Sequence, residues 1–419
     1  MLSFDDARAR LLAACQPVTE TESVASRAAG GRVLAVDLVS PVDVPPLDNS
    51  AMDGYAVRVS DIAAAGTVLT VAQRIAAGGV GAALAAGQAA RIFTGAPVPA
   101  GVNAIVMQEQ TTPTDGGVRI DAMPAAGDHI RRRGEDIAAG QVVLPVGTRL
   151  GAGQLGVAAA VGAAALTVFR RVRVALFSTG NELVMPGVPA HDMPPGSIYN
   201  SNRATLCALL ESLGCTVDDL GVVPDNRDAT RAALRMAAEH NDLVLTSGGV
   251  SVGEEDHVKP SVEAEGALEL WKIAIKPGKP LAFGYLRRAA TTVVSDATPS
   301  GTDNRAAFIG LPGNPVSSFV TFALLVRPFV RRLQGERVDD DMAIPLRADF
   351  DWPPGGKPEA RREFLRVRRN AAGGLDLFAS QSSGVLTSCA WADGLVDNPA
   401  GTLIRRGDPV RYLPLAEMT

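Results

Sequence analysis

The chain has 419 residues and a formal charge of −5, from 40 Lys+Arg against 45 Asp+Glu. That balance excludes a protein devoted to a nucleic-acid backbone, which needs a basic face, but allows a small anion held on a few lysines. Hydrophobic residues at 47% and charged residues at 20% exclude global disorder, and the length suits two to four domains. In chain order, Ser3 is a good helix N-cap with Asp6 three residues on, and Phe4, Ala7, Leu11 and Ala14 share one face, so a first helix ends before Pro17. Residues 41–55 break the pattern with prolines and turn formers. From about 56 to 148 short β-like runs alternate with Gly and Pro turns, the pattern of a compact β-rich insertion. The Gly/Ala-rich stretch Gly151–Phe169 carries Gln154 and is too weak for a membrane span; it reads as a buried segment that returns to the first region.

From residue 172 the rhythm changes. VRVALFSTG reads as a strand and loop. The next helix takes Ser201 or Asn202 as cap, carries a Leu206, Leu209, Leu210, Leu213 stripe and stops at Gly214. CTVDDLGVV, DLVLTSGG, LELWKIAI, PLAFGYL and AAFIGLPG read as further strands, and NRDATRAALRMAAEH as a helix. Asn314 and Pro315 then open a long helix with a Phe319, Phe322, Ala323, Val326, Val330 stripe, which Pro328 should kink and Gly335 should stop. Such alternation predicts a mainly parallel sheet covered by helices. The remainder, with AIPLRADF, EFLRVRR, GLDLFAS and GTLIRRGDPVRYL, predicts a small C-terminal β domain. Residues 289–305 read as a polar loop. The expected division is an α/β multidomain chain: an N-terminal mixed linker domain (1–42 plus 141–171), a β-rich insertion domain (43–140), a central doubly wound α/β domain (172–334) and a C-terminal β domain (335–419).

Cys15, Cys207, Cys215 and Cys389 form no CxxC, and His129, His191, His240 and His257 no HxxxH. A reduced, cytoplasmic chain is the simplest reading, and a zinc ribbon or His-based zinc site is unsupported. The N-terminus is amphipathic and acidic, unlike a signal peptide. In open α/β sheets ligands sit at the carboxyl ends of strands. Three loops qualify: Ser178-Thr179-Gly180-Asn181-Glu182; Ser247-Gly248-Gly249-Val250-Ser251-Val252-Gly253; and Pro312-Gly313-Asn314-Pro315. Each alone is more often just a tight βα turn, but three on one sheet favour a phosphate-bearing ligand. GxGxxG and GxxxxGK[ST] are both missing, which disfavours ordinary NAD and P-loop sites.

Lys276-Pro277-Gly278-Lys279-Pro280 offers two ammonium groups on a proline-stiffened loop, suited to a tetrahedral oxyanion; the alternative is a solvated pair. Asp48, Asp53, Asp136, Asp225 and Asp256 are hard oxygen donors of the kind that hold Mg²⁺ against phosphate. Asp225 equally suits a helix cap, and Asp136 a turn.

PLDNSAMDGYAV (46–57), FTGAPVP (93–99), RRRGEDI (131–137), FSTGNEL (177–183), GSIYNSN (196–202), SGGVSVGEEDHVK (247–259), IKPGKP (275–280) and GLPGNPVSS (310–318) run in one order across nearly the whole chain. Together they resemble the molybdopterin molybdenumtransferase family, the MoeA type, similar to the E domain of gephyrin. The resemblance implies an enzyme that inserts molybdate into adenylylated molybdopterin with Mg²⁺ and releases AMP. It also implies a four-domain homodimer whose cleft is shared between subunits, with a molybdopterin-binding-like α/β domain. The family's functional acids fall on Asp53, Asp136, Glu182, Asp225 and Asp256, its threonine on Thr94, its oxyanion lysines on Lys276 and Lys279, and its serine on Ser317. Arg361 and Ser383 match in the C-terminal domain. Asp225 and Asp256 are the expected metal ligands. Ser178, Thr179, Gly180, Asn202, Ser247, Gly248, Gly249, Ser251, Gly253, Pro312, Gly313 and Asn314 are the expected substrate contacts. Asn181 stands where the family often has Asp, so no metal role is carried to it. The implied partners are the molybdopterin adenylyltransferase and cofactor-accepting enzymes. A gephyrin-like scaffold and an adenylyltransferase are the competing readings; the retained acids and lysines oppose the first, and the extra β domains the second.

Overall fold

The computed structural model describes residues 1–249, 257–288, 304–338 and 343–418. The loop expected over 289–305 lies mostly outside the described residues. The chain divides into two compact units, one of residues 1–22, 31–35 and 167–419, the other of residues 23–30 and 36–166.

The first unit is built on a six-stranded sheet in the order Thr216–Val223, Arg173–Thr179, Leu243–Ser247, Arg305–Leu311, Pro280–Arg287, Gly266–Lys272. The first four run parallel, Pro280–Arg287 runs against them, and Gly266–Lys272 pairs antiparallel to it and so runs with the first four. Strand Arg173–Thr179 is buried on both faces: Val174 and Leu176 pack in one cluster with Leu206, Leu209 and Phe329, while Ala175 and Phe177 pack in another with Leu234 and Val262. Helices on both sides are what its unbroken apolar run requires. The chain leaves Arg173–Thr179 for one edge and returns to Leu243–Ser247 on its other side. The crevice outside the ends of these two strands is therefore the switch point, where doubly wound sheets take ligands.

The helices follow their stripes, with local corrections. Ser3 caps Phe4–Ala13 by accepting the Asp6 N–H at 3.0 Å. Ser201–Ser212 is capped by Asn200, not by Ser201 or Asn202: its Oδ1 accepts the Arg203 N–H at 3.1 Å. Asn202 is thereby placed on the helix with its amide available for other work. Arg227–His240 is capped by Asn226, which accepts the Ala229 N–H at 2.9 Å, so Asp225 is not the cap. The long C-terminal helix is interrupted: Pro315–Thr321 and Arg327–Leu333 flank a π-helical turn, Phe322–Val326, directly before Pro328, whose missing N–H cannot serve the ladder. It is buried nearly all round rather than along one stripe.

The C-terminal strands Arg362–Arg369, Gly374–Leu377, Ile344–Ala348, Pro409–Pro414 and Gly394–Asn398 form a ring that closes by pairing the first with the last, around Leu365, Val367, Leu375, Val396 and Tyr412. Gly394–Asn398 was not foreseen. It is fully buried yet ends in Asp397 and Asn398, which are satisfied by Arg362, Arg411 and the Glu363 carboxylate. A short strand, Ile275–Lys276, adds to this sheet in parallel, with Lys276 opposite Glu363.

The second unit carries another six-stranded sheet, ordered Ala104–Met107, Gly54–Val57, Gln88–Ile92, Thr67–Ile75, Gly117–Ile120, Thr111–Thr114. One face packs Val57, Leu69, Val118 and Ile120, the other Ile75, Ala90, Ile92 and Ile105. The motif RRRGEDI folds back on residues 43–48: Arg133 donates to Asp43 at 2.5 Å, Arg132 to Asp48 at 2.7 Å, and the Asp136 N–H to the Val44 carbonyl at 3.0 Å. The Gly/Ala stretch does return to the first region, through Ser26 to Ala163 and Ala164 in this unit and through Leu34 beside Val168 in the other. It is not a buried segment. Helix Ala152–Ala160 buries only Ala158, because Gly and Ala side chains are too small to build a wide core stripe.

Candidate active site

A cleft of about 970 Å³ opens in the first unit at the carboxyl ends of the parallel strands. It gathers Thr179, Gly180 and Glu182 from the first loop, Ser247, Gly248 and Gly249 from the second, and Pro312, Gly313 and Asn314 from the third. Asn202, Asp225, Lys276, Lys279, Ser317, Arg361 and Ser383 line the same space. Ser178 does not: it is buried under the loop, and its hydroxyl has no partner among the described residues. Ser251, Gly253 and Asp256 lie outside the described residues.

Backbone proximity explains the glycines that matter most. Gly248 has φ +93°, and a Cβ there would lie 2.7 Å from the Thr179 carbonyl oxygen, so the first two loops could not approach each other with any larger residue. Gly278 has φ +106°, and its Cβ would lie 2.4 Å from Thr321 Oγ1, which seats the lysine loop against the helix that begins at Pro315. Asn202 ties the second and third loops together: its Nδ2 donates to Ser247 Oγ at 2.7 Å and to the Gly313 carbonyl at 2.8 Å.

Charge in the cleft is arranged in pairs. Lys276 Nζ lies 3.2 Å from Glu363 Oε1 and 3.3 Å from Glu359 Oε2. Glu363 is buried, with Trp352 Nε1 donating to it at 2.7 Å and Asn398 Nδ2 at 3.3 Å. Arg361 grips Glu359 with Nη2 at 3.0 Å and Nε at 3.2 Å. Arg361, with help from Lys276, holds the Glu359 carboxyl down to about 2. Lys279 is exposed and has no side-chain partner among the described residues. Asp225 is half-buried, and its carboxylate accepts no hydrogen bond among the described residues. Glu182 is exposed, with its carboxylate folded over Gly180.

The far wall depends on Arg366, which sequence reasoning missed. This side chain is fully buried without a carboxylate partner among the described residues, and burial pushes its pKa down to about 10. It donates to the Ser382 carbonyl at 3.3 Å, the Phe364 carbonyl at 3.2 Å and Ser388 Oγ at 3.2 Å. Ser382 and Gln381 line the cleft, and the Ser383 carbonyl accepts the Val316 N–H at 3.1 Å. Glu359 and Glu363 were missed as well. In a run such as KPEARREF charges read as solvated, and only the strand register sets Glu363 against Lys276.

Asp53, Thr94 and Asp136 belong to the second unit. Asp53 Oδ1 accepts from the Thr94 N–H and from Thr94 Oγ1, both at 2.8 Å. These two bonds lower the Asp53 pKa, with a further contribution from the Arg91 charge. Asp136 is exposed, and its carboxylate has no partner among the described residues. No group of three His, Cys, Asp or Glu able to hold a metal ion converges among the described residues.

Comparison with known proteins matches the chain to one family along most of its length. Family models match along the chain: the MoeA N-terminal region (domain I and II) over residues 2–162, a probable molybdopterin binding domain over 175–332, and the MoeA C-terminal region (domain IV) over 346–415. A molybdopterin molybdenumtransferase of Haemophilus influenzae is 43% identical over 338 residues, covering 80% of this chain and 79% of its own. One from Nostoc is 36% identical over 408 residues, covering 94% and 89%. The crystal structure of a molybdopterin biosynthesis MoeA protein from Pyrococcus horikoshii superposes with a TM-score of 0.81 at 27% identity, covering 98% of this chain and 99% of that one.

Proposed function

This chain belongs to the molybdopterin molybdenumtransferase family, and from that premise we propose that its cleft is where molybdate is inserted into adenylylated molybdopterin with release of AMP. The observation that carries the reading is convergence: three phosphate-suited loops, Lys276, Lys279, Ser317, Arg361 and Ser383 share one cleft inside one compact unit. The loops, at the carboxyl ends of the parallel strands, suit the adenylyl pyrophosphate and the pterin phosphate. Lys276, Lys279 and Arg361 suit molybdate, whose oxo ligands are exchanged for the soft dithiolene sulfurs of the pterin.

The carboxylates fit Mg²⁺ in a limited way. Asp225 lines the cleft with its oxygens unclaimed among the described residues, and Asn226 rather than Asp225 caps the following helix. One or two such carboxylates, with substrate phosphates and water, make the donor set that Mg²⁺ favours. In this reading Asp225 and Asp256 hold the ion, which when bound offsets phosphate charge. Asp53, Asp136 and Glu182 position water or relay protons in this reading, and Thr94 is the functional threonine that the resemblance implies. The substrate contacts include Ser251 and Gly253.

The reading extends to a cytoplasmic homodimer that receives substrate from the adenylyltransferase and passes cofactor to accepting enzymes. For the dimer, the second unit exposes apolar side chains: Val39 at 47% and Val142 at 45% face each other across paired strands, beside a helix that buries only Ala158. For the compartment, the four cysteines form no disulfide. No helix among the described residues is long and apolar enough to cross a membrane.

The test is AMP release from adenylylated molybdopterin with Mg²⁺, with and without molybdate. Molybdate-dependent release is expected, and its absence sinks the proposal. ATP consumption with unadenylylated molybdopterin would instead mark an adenylyltransferase. Light scattering that finds a monomer at working concentration would remove the dimer.

A further inference from the structure

Glu359 occupies a place that the oxyanion reading leaves unexplained. Its carboxylate bridges two of the three cations of the cleft, with Oε2 3.0 Å from Arg361 Nη2 and 3.3 Å from Lys276 Nζ. Both cations line the cleft, while Glu359 stands behind them on the segment before the strand Arg362–Arg369. Its backbone is anchored, since its carbonyl accepts the Gly401 N–H at 2.8 Å, and its Oε1 also accepts the Ala360 N–H at 3.1 Å, but its side chain is 23% exposed to water. Glu363 differs. It is buried, sits opposite Lys276 in register, and is fixed by Trp352 and Asn398, so it stays with the lysine whatever binds.

The charges sharpen the contrast. Among the groups paired at the oxyanion cations, Lys276, Lys279 and Arg361 against Glu359 and Glu363 leave one net positive charge, and Glu182 and Asp225 line the same cleft. With Glu359 swung away, the net charge of that group rises to two. A carboxylate and a tetrahedral oxyanion also compete for the same guanidinium donors, because both accept two parallel N–H groups.

Resting on the reading of the cleft as the molybdate site, we propose that Glu359 is a built-in counter-ion that competes with molybdate for Arg361 and Lys276 and sets how tightly the cleft takes the oxyanion. In the free protein it keeps two like charges together on one wall. Molybdate displaces it, and departure of the product lets it return. No bond is made or broken in this exchange.

Calorimetric titration of the full chain with molybdate tests it, alongside the half-saturation of AMP release. Glu359→Gln should bind molybdate more tightly by about three- to tenfold, the scale of a part-exposed ion pair. Glu359→Ala should shift in the same direction, which separates charge from any effect of the glutamine amide. Asp351→Asn removes a carboxylate whose recorded contact is the Arg406 N–H, and should stay within about twofold of the wild type. Unchanged or weaker binding by both Glu359 variants overturns the inference, as does an equal gain in Asp351→Asn, which would reduce the effect to net charge. Lys276→Gln separates the two levels. If it weakens molybdate binding while the Glu359 variants leave it unmoved, the site stands and the counter-ion role falls. If it changes nothing, the site assignment falls and takes the inference with it.

Discussion

The cleft of the first unit and the acid pair of the second hold their charged groups in opposite ways. In the cleft each key cation but one is already clamped by carboxylates: Lys276 by Glu363 and Glu359, Arg361 by Glu359. In the second unit Asp53 is held by neutral donors, the N–H and hydroxyl of Thr94, while the nearby Asp43 and Asp48 are tied up by Arg133 and Arg132. A clamped cation has its position fixed and its attraction for an anion reduced. A carboxylate held by neutral hydrogen bonds keeps its full charge and stays ionised further into acid. The first arrangement suits reversible capture of an oxyanion, and the second a group that must stay ionised.

The largest expected effect tests the clamped side. Lys276→Gln should lower molybdate-dependent AMP release by about 10²–10³-fold, the scale of losing one preorganised charge-stabilising donor. A wild-type rate would show that the paired lysine is only structural. Next comes the wall that supports it. Arg366→Ala empties a fully buried position and frees the Ser382 and Phe364 carbonyls. Denaturant unfolding should register a loss of about 2–4 kcal/mol. A change near zero would mean that the Gln381–Ser383 segment does not depend on this side chain.

A smaller pair of substitutions separates capping from chemistry at neighbouring residues. Asn226→Ala removes the side chain that accepts the Ala229 N–H and should cost about 1 kcal/mol of stability with AMP release little changed. Asp225→Asn should do the reverse, altering stability by less than about 0.5 kcal/mol while lowering AMP release at least about tenfold. Equal stability losses from both would return Asp225 to a structural role.

What could be read from the chain alone follows the range of the interactions. Strand–helix alternation from residue 172 is local, because Val174 to Phe177 must be covered on both faces, and the doubly wound sheet follows. The cap of Ser201–Ser212 slipped because Asn200, Ser201 and Asn202 all cap well, and only the Arg203 N–H selects among them. Strand Gly394–Asn398 was illegible because burying Asp397 depends on Arg362 and Arg411, 35 and 14 residues away. Glu359 and Glu363 were illegible for the same reason, since Lys276 lies 87 residues from Glu363. The cleft loops were legible as loops, because glycine at a strand end is a local signal. Their meeting at one sheet end was expected as well, but the contacts that bring it about, Gly248 against Thr179 and Asn202 reaching Gly313, were not legible.

The smallest effect tests the other side of the comparison. Thr94→Val removes the hydroxyl that donates to Asp53 and leaves the backbone N–H bond in place. The Asp53 pKa in the folded wild type is lowered, with the Thr94 backbone bond the larger cause and its hydroxyl the next. A carboxyl lowered by folding contributes stability above its unfolded pKa and loses it as pH falls through the folded value, so this contribution persists below the ordinary carboxylate range. The variant should raise the Asp53 pKa part of the way back, so the stability lost on acidification is smaller and its loss is complete at a higher pH. If Asp53 must be ionised for turnover, the acid limb of AMP release should move upward by the same amount. Carboxyl-carbon NMR titration of Asp53 reads the first shift and the pH–rate profile the second. A raised pKa with an unmoved acid limb would leave Asp53 well ionised but outside the chemistry. An unmoved pKa would mean that the backbone N–H alone holds the carboxylate, and that Thr94 contributes through its main chain.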